Sequence, residues 1–267
     1  MQALYFEGGL VENDKYQISE KSKYLNLILL KDELEEFDRG LSQPVANTEN
    51  WLSKLRLTRS VFLSLNNVKD ALNKIQFRDQ PEIAILARQL KKDLLFANHF
   101  RNRGIGHLND DLLRRSAQWS PQIFYAEMKD NEIFQVIEAH RSIIEVCINS
   151  YLDVNGVQKI FGKEIDLIYP PDAEEFYQYL QSLVHLSLNW LTLSSKVIYE
   201  SINLHSGNEV MEVSALAGQT NFNLKESPDS TYEVPDNEEI LAISINALKE
   251  LNVDQVVIDV IQGKYKI

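Results

Sequence analysis

Apolar residues spaced three and four apart, in long blocks separated by prolines, constrain this chain more than any other feature. That spacing returns side chains to one side of a 3.6-residue helix and cannot line one face of a strand. The seven prolines, Pro44, Pro81, Pro121, Pro170, Pro171, Pro228 and Pro235, punctuate the blocks. Proline is tolerated in the first turn of a helix, so the stretches that follow read as helices. Leu27, Leu30, Leu34, Phe37 and Leu41 form the first stripe, and Leu55, Phe62, Leu65, Val68, Leu72 and Ile75 form the second. After Pro81 come Ile83, Leu86, Ala87, Leu90, Leu94 and Ala97, with Lys91, Lys92 and Asp93 off the stripe. A fourth helix is predicted from about Asn131 to Leu152, with Ile133, Ile137, His140, Ile144, Cys147 and Tyr151 on one face. The fifth, from about Asp172 to Leu204, is apolar on nearly every side and reads as a buried central helix. Five such helices joined by turns predict a mainly α bundle.

From about His205 the pattern changes to short apolar segments broken by Gly207, Gly218, Pro228 and Pro235, followed by a helical stretch near Asn237 to Leu251 and the β-branched run Val256 to Ile261. This predicts a small α+β appendage over residues 205–267, beside a bundle over residues 1–204 whose core spans about 20–204. Residues 3–6 could add a strand to the appendage. The appendage carries 11 acidic against 4 basic residues, more than half of the chain's net charge of −12. It reads as a solvated surface, a partner-binding module or a mimic of RNA.

A length of 267 residues is enough for a core that needs no staples. Cys147 is the only cysteine, which excludes an intramolecular disulfide and a cysteine-based zinc site. The start of the sequence lacks the basic and apolar regions of a signal peptide, and no segment has the ~18 consecutive apolar residues of a spanning helix. The expectation is a cytoplasmic protein with no membrane partner.

One segment has chemistry in it: Asn98-His99-Phe100-Arg101-Asn102-Arg103-Gly104-Ile105-Gly106-His107-Leu108-Asn109-Asp110-Asp111. Counting along the stripe from Leu94 or Ala97 lands on Arg101, which predicts an inward-facing arginine in need of an anionic partner. Gly104 and Gly106 should end the helix, and Asn109 or Asp110 should cap a short one carrying Arg114 and Arg115. His107 then sits on a bend that folds back toward Arg101. From Arg88 to Arg115 seven basic residues face three acidic ones, a basic strip in an acidic chain. Such a strip is the minimum that phosphate binding requires, while the overall charge opposes attraction of bulk RNA.

Arg101, Asn102 and His107 resemble the signature of the HEPN superfamily, in which an arginine followed by a polar residue precedes a histidine by four to six intervening residues; here five intervene. The long form is more similar to abortive-infection and phage-defence members than to the small toxins paired with nucleotidyltransferases. Those toxins carry a tyrosine two residues after the histidine, where this chain has Asn109. The resemblance covers about residues 20–204 and implies a metal-independent endoribonuclease, without cofactor, built across a homodimer. It assigns His107 as acid/base, Arg101 as phosphate clamp and Asn102 as positioning residue. Arg103, Lys91, Lys92, Arg114 and Arg115 become RNA contacts. Imidazole chemistry near neutrality and the fixed guanidinium fork suit those roles.

Other readings of the same residues remain open. Arg101 could pair with Asp110 or Asp111 while His107 caps the turn, and the bundle would then be a non-catalytic scaffold recruiting a protein partner through its acidic C-terminal region. Gly104-Ile105-Gly106 lacks the preceding strand and the lysine of a phosphate loop, and no second histidine stands at metal-ligand spacing from His107. His140 reads as a core histidine or a neighbour of the site, His185 as structural, and His99 as a neighbour of the motif or a surface residue. Cys147 reads as an inert small hydrophobe, and Trp51, Trp119 and Trp190 as packing residues.

Overall fold

The computed structural model describes residues 12–106 and 108–207, together with single positions between 209 and 249. The chain divides into two compact units, Tyr16–Ile202 and Met1–Lys15 with Asn203–Ile267. Among the described residues there are seven α-helices and no strand, so the protein is a mainly α helical bundle. No described helix is long and apolar enough to cross a membrane.

In the larger unit each helix follows from a local signal. Helix α1 spans Glu12–Leu41 and buries Leu27, Leu30, Leu34 and Leu41, the stripe visible in the sequence. Helix α2, Thr48–Lys74, starts where the Asn47 side chain accepts a hydrogen bond from the Asn50 N–H at 2.8 Å. It buries Leu55, Phe62, Leu65, Val68 and Leu72. Helix α3, Pro81–Asp93, carries its proline in the first turn and stops at Leu94, whose ψ of 2° leaves the helical range. A second short helix, α4, follows at Leu95–Phe100 and runs into a π turn at Arg101–Ile105. Asn109 caps α5, Asp110–Trp119, by accepting from the N–H groups of Asp111 and Leu112 at 3.0 and 3.3 Å. Two 3-10 turns, Pro121–Phe124 and Ala126–Met128, lead to α6, Glu132–Asn149, capped by Asn131. A loop holding a lone antiparallel bridge between Leu152 and Gln158 precedes α7, Pro170–Ser201.

The centre of the bundle is aromatic. Phe62 of α2 stacks on Phe100 of α4 with centroids 3.9 Å apart and planes 7° from parallel. Phe96 meets both rings edge-on, and Phe176 of α7 lies 6.3 Å from Phe62. Truncating one such ring costs about 3–5 kcal/mol, so α4 is fixed firmly one residue before the π turn begins.

Two expectations about helix faces are corrected here. Helix α7 is amphipathic rather than buried all round: Gln178, Ser182, His185, Asn189, Thr192 and Lys196 recur at alternating spacings of four and three, and all are exposed. His185 is 62 % exposed and meets Asp38 of α1 at 3.0 Å across the surface. On α6, Ile137, Ile144 and Cys147 are buried as the stripe predicts, while Ile133 in the first turn is 54 % exposed. The strands expected in the appendage, and residues 3–6, lie outside the described residues. The described positions Gly207, Glu209, Val210, Ser214, Ala217, Ile245, Asn246 and Lys249 of the smaller unit are helical.

Candidate functional site

The sequence count from Leu94 or Ala97 placed Arg101 in the core, and the structure buries Phe100, three residues beyond Ala97, instead. In the helix that restarts at Leu95 the buried row is Phe96, Ala97, Phe100 and Gly104, one step out of phase with the row through Arg101. Arg101, Asn102 and Arg103 are consequently exposed. The Gly106 N–H donates to the Arg101 carbonyl at 2.8 Å, five residues back, which is the defining bond of a π turn. The Arg101 guanidinium donates to Asn102 Oδ1 at 3.4 Å. Among the described residues it has no ion pair, so the expected pairing with Asp110 or Asp111 does not form. His107 lies outside the described residues.

The turn is held from below by two neighbours. Gly104 is buried against α6, and a Cβ there would collide with Cys147 Sγ. Arg59 of α2 donates to the Gly104 carbonyl at 3.1 Å. Burial pushes the Cys147 thiol up to about 12, against the pull of Arg59 and Arg103, so this cysteine is packing rather than nucleophile. His140 is half-buried near Arg59 and Arg56, and burial together with those two charges holds its imidazole below the ordinary value. Its Nδ1 and the Arg59 Nε are buried without a partner among the described residues.

Beside the turn opens a cleft of about 570 Å³. Its walls come from four places: His99 and Arg103 at the turn, Asn109, Asp111, Arg115, Gln118 and Trp119 on α5, Val146, Asn149 and Ser150 at the end of α6, and Leu152 and Glu164 from the loop. His99 Nε2 lies 3.1 Å from Ser150 Oγ, and its ring tilts against Tyr151 at 5.0 Å. Burial, reinforced by the Arg103 charge, lowers its pKa, while the Cys147 carbonyl partly offsets this, which favours an uncharged imidazole at neutral pH. Of the residues expected to contact RNA, Arg103 and Arg115 share this cleft. Lys91, Lys92 and Arg114 do not line it.

Behind the cleft lies a charged network that sequence reading missed. Arg141 of α6, only 3 % exposed, binds Glu138 and Glu145 on its own helix, and its Nη2 also donates to Ser120 Oγ at 3.2 Å. Glu145 is fully buried and accepts from the Trp119 indole at 2.6 Å and from the Leu167 N–H at 2.8 Å. Gln122 donates to Glu138 at 2.8 Å. Burial raises the Glu145 pKa, against these donors and the Arg141 charge. The network therefore ties the end of α5 and the loop to α6, and it fixes Trp119 in one orientation. Its signal was the spacing of Glu138, Arg141 and Glu145, which puts opposite charges three and four residues apart on one helix. His99 was legible in the same way, one turn before Arg103.

Among the described residues no group of three His, Cys, Asp or Glu side chains is placed to hold a metal ion. No family model, curated protein or solved structure matches the chain.

Proposed function

We propose that this protein is a metal-independent endoribonuclease of the HEPN type. The observation that carries the reading is the Arg101 guanidinium: exposed on a π turn, hydrogen-bonded to Asn102, and without a carboxylate partner among the described residues. A structural arginine normally has an anion on it; one left open beside a polar residue suits a phosphate. π turns within helices recur at functional sites.

In this reading Arg101 clamps the scissile phosphate and Asn102 orients the clamp. His107 takes the proton from the ribose 2′-hydroxyl or returns one to the departing 5′-oxygen. The 2′-oxygen forms a bond to phosphorus as the bond to the 5′-oxygen breaks, leaving a 2′,3′-cyclic phosphate and a 5′-hydroxyl. The guanidinium stabilises the charge that builds on the phosphoryl oxygens. Arg103, Lys91, Lys92, Arg114 and Arg115 hold flanking phosphates. A second copy of the chain completes the site, in a cytoplasmic defence or stress-response role.

The test is cleavage of a mixed RNA by the full chain in EDTA, with the product ends identified. The expected outcome is cyclic-phosphate ends, with Arg101→Ala and His107→Ala each lowering the rate by about 10²-fold or more at unchanged thermal stability. Variants that cleave like the parent, or activity lost on adding EDTA, overturn the reading, and a chain that cleaves no RNA is left as a binding module.

A further inference from the structure

The cleft beside the π turn has features that phosphate clamping at Arg101 does not use. We infer that it is a binding site for one nucleotide, with the base lying on Trp119 and the phosphate held by Arg103 and Arg115. Trp119 is 38 % exposed and lines the cleft, yet its only polar atom is committed to buried Glu145 at 2.6 Å. The indole thus adds apolar surface to the lining of the cleft and no free donor. Because Glu145 is itself held by Arg141 and the Leu167 N–H, the ring is locked before any ligand arrives. Pre-ordered aromatic surface is what stacking on a base requires, at about 1–3 kcal/mol per base.

Arg103 and Arg115 reach the cleft from different elements, the π turn and α5, and both are exposed. Neither makes an ion pair among the described residues, so two guanidinium forks are available to one anion. Asp111 and Glu164 also line the cleft. They balance the two arginines, which disfavours a polyphosphate and leaves acceptors for ribose hydroxyls and exocyclic amines. Gln118 has no partner among the described residues and can read a base edge. The volume falls in the range of small-molecule clefts. Together these features select a nucleoside monophosphate over free phosphate, free nucleoside or triphosphate. The placement of this nucleotide next to a scissile phosphate rests on the nuclease reading, since Arg103 lies two residues from Arg101; its binding does not.

The full chain is titrated with the four nucleoside 5′-monophosphates, with adenosine, with ATP and with inorganic phosphate. The readout is the indole N–H resonances of Trp51, Trp119 and Trp190, with Trp119 assigned through Trp119→Phe. The expected result is a saturable shift of the Trp119 signal by at least one monophosphate at millimolar concentration, and little shift by phosphate, adenosine or ATP. Arg103→Ala and Arg115→Ala should each weaken that binding by about tenfold, and Arg78→Ala, at an exposed arginine between α2 and α3 that does not line the cleft, should not. No shift with any monophosphate overturns the inference. So does an equal response to inorganic phosphate, or binding that survives loss of both arginines. Nucleotide binding without RNA cleavage leaves this site standing and removes the nuclease reading; cleavage without nucleotide binding does the reverse.

Discussion

Gly104 shows how little room the π turn has. Its Cα faces the Cys147 thiol, and a single added methyl would occupy the space of the sulfur. Gly104→Ala is expected to destabilise the protein by about 1–3 kcal/mol, the usual cost of overpacking. Removing the sulfur should relieve the clash, so Gly104→Ala with Cys147→Ala is expected to cost less than the sum of the two single changes. Urea denaturation of the four proteins in this cycle measures the coupling. Arg101 is the residue at which the sequence was misleading. Counting by threes and fours allows either Phe100, three beyond Ala97, or Arg101, four beyond it, and the core takes the aromatic ring. Asn109 was legible because capping is a local bond from the N–H groups two and three residues on to one side chain. Trp119 was not, because its role depends on a carboxylate 26 residues away.

The elements were largely readable, since five of the seven helices begin at a proline or an asparagine cap that acts within its own first turn. The character of α7 was obscured by its leucine content. Its polar row was present at the right spacing, but Ser187 and Ser194 on the buried side made the two faces look alike in composition. The charged network of α6 joins three elements. Replacing Arg141 by Met strands the buried carboxylates of Glu138 and Glu145 without a counter-charge. The expected loss is about 3–5 kcal/mol, as for other buried pairs broken on one side. Adding Glu145→Gln should recover part of it, because one stranded carboxylate is gone. Thermal melts of the single and double variants compare the two. A loss below about 1 kcal/mol for Arg141→Met would mean that water reaches the network, and that Trp119 is not fixed as described.

At the scale of the whole molecule, stability is expected to depend on pH through two imidazoles. Burial holds the pKa values of both His99 and His140 below the ordinary value, with Arg103 adding to the effect on one and Arg59 and Arg56 on the other. The unfolded chain takes up protons near pH 6.5 while the native state resists them. Between pH 7.5 and 5.5 the unfolded state therefore binds more protons, and stability falls as the pH falls. Glu145, raised by burial, acts in the opposite sense. The urea midpoint should drop over this range, and the drop should shrink in His99→Gln with His140→Gln. An unchanged slope in that double variant assigns the pH dependence to other groups.

The π turn also has a consequence for how this surface can change. One inserted residue rotates everything after it by about 100° about the helix axis. Across it the buried register runs Phe96, Phe100, Gly104 in steps of four, and Arg101, Asn102 and Arg103 fill one such interval on the solvent side. Sequence drift in these three side chains is thus uncoupled from the core, whereas a residue gained between Phe100 and Arg103 would set Arg103 at the buried position against Cys147, and a residue lost would set Ile105 there. The segment tolerates new letters far better than a new length.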